Sequence, residues 1–209
     1  CTFTVTVNDT EAPTVVCQDL TVYLDQTGSV NFNPLSNGAI ISRTDNCALD
    51  GTPGVNDAPP GCASTFTQNI TEFDISGNFD QCTVVCTILD TLAPMAVCQN
   101  LTVQLDQSGQ STITPGQIDG GSSDNCTVSN LSLDVSNFDC DDIGANTVKL
   151  TAMDPSGNSS NCTATVTVED NNPPTAVCNN PTVNLTGDGI TTVDAAFFDG
   201  GSSATCSGL

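Results

Sequence analysis

The sequence predicts an all-β protein made of tandem antiparallel β-sandwich repeats of about 80 residues, stapled by disulfides. Three observations predict it. One eleven-residue segment returns along the chain, cysteines return in register with it, and the stretches between them alternate apolar and polar residues.

The repeat comes first. Val15-Val16-Cys17-Gln18-Asp19-Leu20-Thr21-Val22-Tyr23-Leu24-Asp25 returns as Ala96-Val97-Cys98-Gln99-Asn100-Leu101-Thr102-Val103-Gln104-Leu105-Asp106. It returns again from Ala176-Val177-Cys178-Asn179-Asn180-Pro181 to Leu185. Taking this cysteine as the first, a second recurs at Cys47, Cys126 and Cys206, a third at Cys62 and Cys140, and a fourth at Cys1, Cys82 and Cys162. A solenoid turn usually runs about 20 to 50 residues, so this longer period suits a small sandwich on a string. The expected divisions are 1–10, the last strand of a preceding repeat; 11–91 and 92–171, two whole repeats; and 172–209, the first half of a further one. On this reading the chain is a window on a longer array.

The strands come next. Thr163 to Val168 alternates strictly, with Ala164, Val166 and Val168 on one face. Thr2 to Val7 does the same. Val103 and Leu105 are expected inward, as are Val148, Leu150 and Ala152. Period two with β-branched residues marks half-buried antiparallel strands. Gly, Asn, Asp, Ser and Pro clusters separate them. No segment shows a helical period.

Charge and composition exclude several classes. The chain has 24 acidic and two basic residues, Arg43 and Lys149, for a net charge of −22. Such a surface repels phosphate backbones and anionic lipid, so neither nucleic acid nor membrane insertion is expected. With 37% hydrophobic residues, and those patterned, the chain is not read as disordered. Histidine is absent, which removes the commonest general base and zinc ligand. The acids recur in turns, whereas an active site is expected once, so the chain is read as no enzyme.

Twelve cysteines without zinc-type clustering indicate disulfides and a secreted, extracellular or cell-surface setting. Four cysteines per repeat allow three pairings. The similar spans favour first with second and third with fourth: Cys17–Cys47, Cys98–Cys126, Cys178–Cys206, Cys62–Cys82 and Cys140–Cys162. Cys1 then pairs upstream. Cys86 aligns with the inward Val166 and reads as a buried thiol acting as a small hydrophobe.

Asp154-Pro155-Ser156-Gly157-Asn158, then Cys162 to Val168, then Asp170 and Pro173-Pro174, resembles the hyalin repeat and the Ig-like repeats of large bacterial surface adhesins. Asp124-Asn125-Cys126 fits the same pattern. The resemblance implies an Ig-like sandwich in an extracellular adhesion or matrix protein. The segment Ala48 to Phe73 departs from the pattern, and Ala204-Thr205 stands where other repeats have Asp-Asn.

In an Ig-type sandwich the entering linker and two of the loops share one end. Asp90, Asp124 and Asp154 are therefore expected to converge, and Asp9, Asp45 and Asp74 likewise, with Asp170 heading a third set. Converging carboxylates suit calcium, which accepts six to eight oxygen ligands. The resemblance implies that use. The competing reading is that these are turn residues, chosen for local backbone reasons. Asn-x-Ser/Thr acceptors for glycosylation stand at Asn8, Asn69, Asn100, Asn130, Asn158 and Asn184, with two more at Asn125 and Asn161.

The expected function is a structural or adhesive segment forming a rod, stalk or filament, its junctions stiffened by calcium. Its partner is itself, by self-association or continuation into a long array. The alternative is a module of a cell-surface receptor that binds a carbohydrate or an extracellular protein.

Overall fold

The computed structural model describes residues 1–30, 32–55, 62, 64–185 and 187–206. The middle of the irregular Gly51 to Cys62 loop lies outside the described residues. The chain divides into two compact units. The first holds Cys1–Pro94 together with Ser123–Ser129 and Met153–Ser159. The second holds Met95–Ser122, Asn130–Ala152 and Ser160–Leu209. The first unit is thus the sheets of one sequence repeat with loops borrowed from the next.

In the first unit the strands are β1 (Thr14–Cys17), β2 (Leu20–Tyr23), β3 (Ile40–Thr44), β4 (Gly54–Val55), β5 (Ser64–Phe73) and β6 (Phe79–Leu89). β1 pairs with β3 in one sheet, and the other runs β2-β6-β5-β4. Ala39, Ile70, Val84 and Cys86 fill the space between them, with Phe32, Phe66 and Leu20 packed against that cluster. Val22, Leu24 and Ile88 form a second cluster. Cys86 is a free, fully buried thiol. Burial first, then the charge of Asp19, pushes its pKa up and keeps it inert.

The second unit repeats the plan with β7 (Leu101–Gln104), β8 (Ser111–Thr112), the short helix α1 (Pro115–Ile118), β9 (Asn130–Leu133), β10 (Asn137–Phe138), β11 (Gly144–Met153) and β12 (Ser159–Glu169). The large sheet runs β7-β12-β11-β9, and β8 pairs with β10. The alternating residues read from the sequence line its core. Val148, Leu150, Val166 and Val168 are buried with Leu105, Ile113, Ile118 and Phe138. Each such side chain contributes on the order of 1.5–3 kcal/mol when fully buried. This is an all-β, Ig-like sandwich, repeated and disulfide-stapled.

The structure corrects four readings. First, β2 pairs with β6 in parallel, and so does β7 with β12. The opening strand of each repeat leaves one sheet and joins the edge of the other. At the crossing a side chain replaces a backbone acceptor: Asp19 Oδ1 accepts from Val85 N at 2.9 Å, and Asn100 Oδ1 from Thr165 N at 2.8 Å. Second, Thr2–Val7 forms no strand, and Phe3 is 86% exposed. A strand needs a ladder partner, and none of the described residues supplies one. Third, α1 forms where no helical period exists. One turn needs only Pro115 at its start and the Gln117 side chain accepting from Thr114 N at 2.8 Å.

The fourth correction is the disulfide pairing. The bonds are Cys17–Cys82, Cys98–Cys162, Cys62–Cys126 and Cys140–Cys206, with Cα separations of 5.9, 5.8, 5.5 and 5.3 Å. Cys1, Cys47 and Cys178 are exposed thiols. First pairs with fourth, because β1 carries Cys17 against β6, which carries Cys82. Third pairs with the second cysteine of the following repeat. A period alone cannot separate these pairings from first-with-second, since every spacing recurs equally.

The third-to-second bonds bring loops of adjacent sequence repeats together. In the first unit the Asp25–Ser29 turn meets the Asn125 loop, and Asn125 Nδ2 donates to Asp25 O at 3.1 Å. Gly28 has φ +73° and lies directly beneath Asn125 O, where a Cβ would collide. In the second unit Gly109 lies under Cys140 Sγ and Thr205.

Candidate functional site: two carboxylate clusters

Two clusters stand in the first unit. Oxygens of Asp9, Asp45 and Asp74 lie within 4.8 Å of one another. In the other, oxygens of Asp90 and Asp124 and the sulfur of Cys126 do so.

Both clusters are built from turns. Asp9 and Asp90 sit on the segment entering a repeat. One oxygen of each caps a backbone amide two residues on: Asp9 Oδ1 accepts from Glu11 N and Asp90 Oδ1 from Leu92 N, both at 3.1 Å. Asp45 and Asp124 head the turn ending in the second cysteine. Their Oδ2 atoms accept from Cys47 N and Cys126 N, both at 3.0 Å. Local turn chemistry explains these four oxygens fully.

It does not explain their partners. Asp9 Oδ2, Asp45 Oδ1, Asp90 Oδ2 and Asp124 Oδ1 are buried and accept no hydrogen bond. Asn125 Oδ1 joins them, while its amide nitrogen donates to Asp25 O and to Asp90 Oδ1. Asp90 is only 6% exposed. A buried carboxylate oxygen without a donor costs several kcal/mol in order-of-magnitude terms unless a positive charge faces it.

The third loop carries Asp74 in one sequence repeat and Asp154 in the next. Asp74 is 1% exposed. Burial pushes its carboxyl pKa up, but donors from the Asn78 side chain and backbone, Ser76 and Gly77 outweigh that and leave it lowered. It stays ionised within the cluster. Asp154 is also buried and is capped in the same way: Asn158 donates to its two oxygens from N and from Nδ2, each at 2.8 Å, as Asn78 does to Asp74 at 2.8 and 2.7 Å. Of the expected trio Asp90, Asp124 and Asp154, oxygens of the first two lie within 4.8 Å of each other, with the Asn125 amide beside them. Cys126 is disulfide-bonded, and a hard cation prefers oxygen. Among the described residues Asp170 joins no such cluster; its Oδ1 accepts from Asn172 N and Nδ2. Where Asp45 and Asp124 have their counterpart stands Ala204, lining a cleft of ≈ 350 Å³ with Gln107, Asn172 and Thr205.

Asparagines hold the clusters together, which composition alone does not reveal. Asn78 Nδ2 bridges Asp9 O and Asp74 Oδ2, and Asn158 Nδ2 bridges Asp90 O and Asp154 Oδ2. The signal was the repeated Asp-x-Ser-Gly-Asn loop. Both Nδ2 hydrogens of Asn158 are spent, so a glycan there would break a bridge. Asn8, Asn69, Asn100, Asn130 and Asn184 are exposed. The Cys47 thiol borders the first cluster. A hydrogen bond to Asp9 first, then burial and the charges of Asp9, Asp45 and Asp74, push its pKa up. A thiol is a weak donor, and no well-formed hydrogen bond reaches Asp9 Oδ2.

No protein-family model and no curated protein matches the sequence. Among solved structures the chain is similar to human mucin-like protocadherin EC1-2, at 12% identity over 76% of this chain and 98% of that one, TM-score 0.39. It is similar to the protocadherin gammaB7 EC3-6 cis-dimer structure, at 16% identity over 90% and 57%, TM-score 0.36. It is also similar to Drosophila N-cadherin EC1-4, at 12% identity over 76% and 50%, TM-score 0.37. The chain thus spans about half the length of the last of these. With TM-scores this low, the fold class rests on the strand topology and disulfides above. Among the described residues no helix is long and apolar enough to cross a membrane.

Proposed function

We propose that this chain is an extracellular adhesive repeat segment, part of a rod, stalk or filament, in which the two carboxylate clusters hold calcium. The observation that carries this is the set of buried oxygens without donors: Asp9 Oδ2 and Asp45 Oδ1 in one cluster, Asp90 Oδ2, Asp124 Oδ1 and Asn125 Oδ1 in the other. Turn capping accounts for one oxygen of each aspartate and leaves the other facing its neighbours. Calcium fits the donor set, being hard, tolerant of irregular geometry and content with carboxylate and amide oxygens together. When bound it would supply the charge that lets these oxygens stay buried and would fix the entering segment against the loops. The hyalin-repeat resemblance and the disulfide content support the adhesive, extracellular reading.

Calorimetric titration of the chelator-treated chain with calcium tests it. Two sites are expected, with Asp124→Ala removing one and Asp45→Ala the other. Melting should rise with free calcium, since a ligand binding only the folded state stabilises it by mass action. An unchanged melting curve across millimolar calcium, with no heat of binding, leaves the turn-residue reading standing.

A further inference from the structure

The disulfides follow a register that one cysteine breaks. Second-position cysteines stand at Cys47, Cys126 and Cys206, and two of the three are bonded to the third-position cysteine of the preceding sequence repeat. Cys47 occupies the same place as Cys126. Its amide donates to the aspartate two residues before it at 3.0 Å, as does that of Cys126. Its loop likewise carries an aspartate that meets the aspartate of the entering segment. Yet Cys47 is an exposed thiol. The other exposed thiols, Cys1 and Cys178, stand in fourth and first positions, which bond each other and not a second-position cysteine in the disulfides of this chain. Cys17 is spent on Cys82, Cys86 is sealed in the core, and both third-position cysteines, Cys62 and Cys140, are bonded.

We infer that Cys47 is a cross-linking site, forming a disulfide with the third-position cysteine of another repeat of this kind. The partner is defined by the joint seen twice in the chain, in which a third-position cysteine and a glycine-bearing Asp-x-x-Gly turn meet the second-position loop. Two thiols lose two protons and two electrons, and these reduce one small organic disulfide to two thiols; one S–S bond forms as another breaks. The inference uses no metal and stands apart from the calcium reading.

The test frees a third-position cysteine within the same chain. The 209-residue chain carrying Cys1→Ser, Cys178→Ser and Cys206→Ser retains two accessible thiols, Cys47 and Cys140. Oxidation with glutathione disulfide should give a ladder of covalent multimers on non-reducing gels, with Cys47–Cys140 recovered by peptide mapping. Adding Cys47→Ser should abolish the ladder. If Cys206→Ser fails to fold, Cys126→Ser frees Cys62 instead and should give Cys47–Cys62. A partner repeat on the same polypeptide in the natural assembly shows as one mass before and after reduction, and a separate polypeptide as a drop in mass. Multimers joined only through Cys140–Cys140, or a Cys47 that stays fully alkylatable after oxidation, overturn the inference.

Discussion

Arg43 donates from Nη1 to Glu72 Oε1 at 2.9 Å and to Gly51 O at 2.8 Å. The chain has only two basic side chains, and this one neutralises a carboxylate that is fully buried in β5. Removing one partner of a buried pair strands the other charge, which costs about 3–5 kcal/mol. Arg43→Met should therefore lower urea-unfolding stability by that order. Arg43→Met with Glu72→Leu should recover most of the loss. A double variant as unstable as the single one would show that the pair is not the cause.

The Cys98–Cys162 bond closes a loop with a sequence separation of 64. Chain-entropy reasoning gives about 4 kcal/mol for a loop of that length. Cys98→Ser with Cys162→Ser should lower stability by roughly that amount. Non-reducing peptide mapping of the unaltered chain should recover Cys98 joined to Cys162, and a Cys98–Cys126 peptide would contradict the structure.

Gly28 and Gly77 both have positive φ, +73° and +90°. Nothing lies within 4 Å of a Cβ at Gly77, whereas at Gly28 it strikes Asn125 O. Gly77→Ala should cost only the left-handed backbone strain, about 1–2 kcal/mol. Gly28→Ala should cost more, because the Asn125 loop must also move. Thermal melting of the two variants decides; equal losses would mean that the loop is not seated on the turn.

Asp106 has a lowered carboxyl pKa, held down by the Ser108 hydroxyl first and then by the amides of Gln110 and Ser108. A carboxyl lowered on folding stabilises the folded state above its ordinary value of 3.8. That contribution fades as pH falls through the folded pKa. The unaltered chain should therefore melt above Asp106→Ala at pH 7, with the gap closing below pH 3.8. Taking the difference cancels the general relief of repulsion as 24 acids protonate. A gap that persists in strong acid would assign the turn's stability to something other than charge.

What could be read in the sequence was whatever period two controls. Val148, Leu150, Ala152, Ala164, Val166 and Val168 all face the core, because alternation fixes the face of a strand. Alternation is silent on a strand's partner. Leu20 to Tyr23 reads alike beside a parallel or an antiparallel neighbour, and Thr2 to Val7 reads as a strand with no neighbour described. The grouping of Asp9, Asp45 and Asp74 followed from the order of loops in a sandwich. The place of the Asn125 amide beside Asp90 did not, since it depends on how that loop seats on the Asp25–Ser29 turn. Disulfide partners were hidden for the same reason that the repeats were visible: a perfect period supports every regular pairing equally.

The four disulfide loops overlap in sequence. Cys17–Cys82 has not closed before Cys62–Cys126 opens, nor that one before Cys98–Cys162, nor that before Cys140–Cys206. Every peptide bond between Cys17 and Cys206 therefore lies inside at least one ring. A protease can nick any single exposed turn there, and the two cut ends remain covalently tethered through sulfur. Fragments leave only when several cuts coincide or a reductant arrives. Outside the cell, where peptidases are common and reductants scarce, damage by proteolysis would accumulate in such a molecule without severing it.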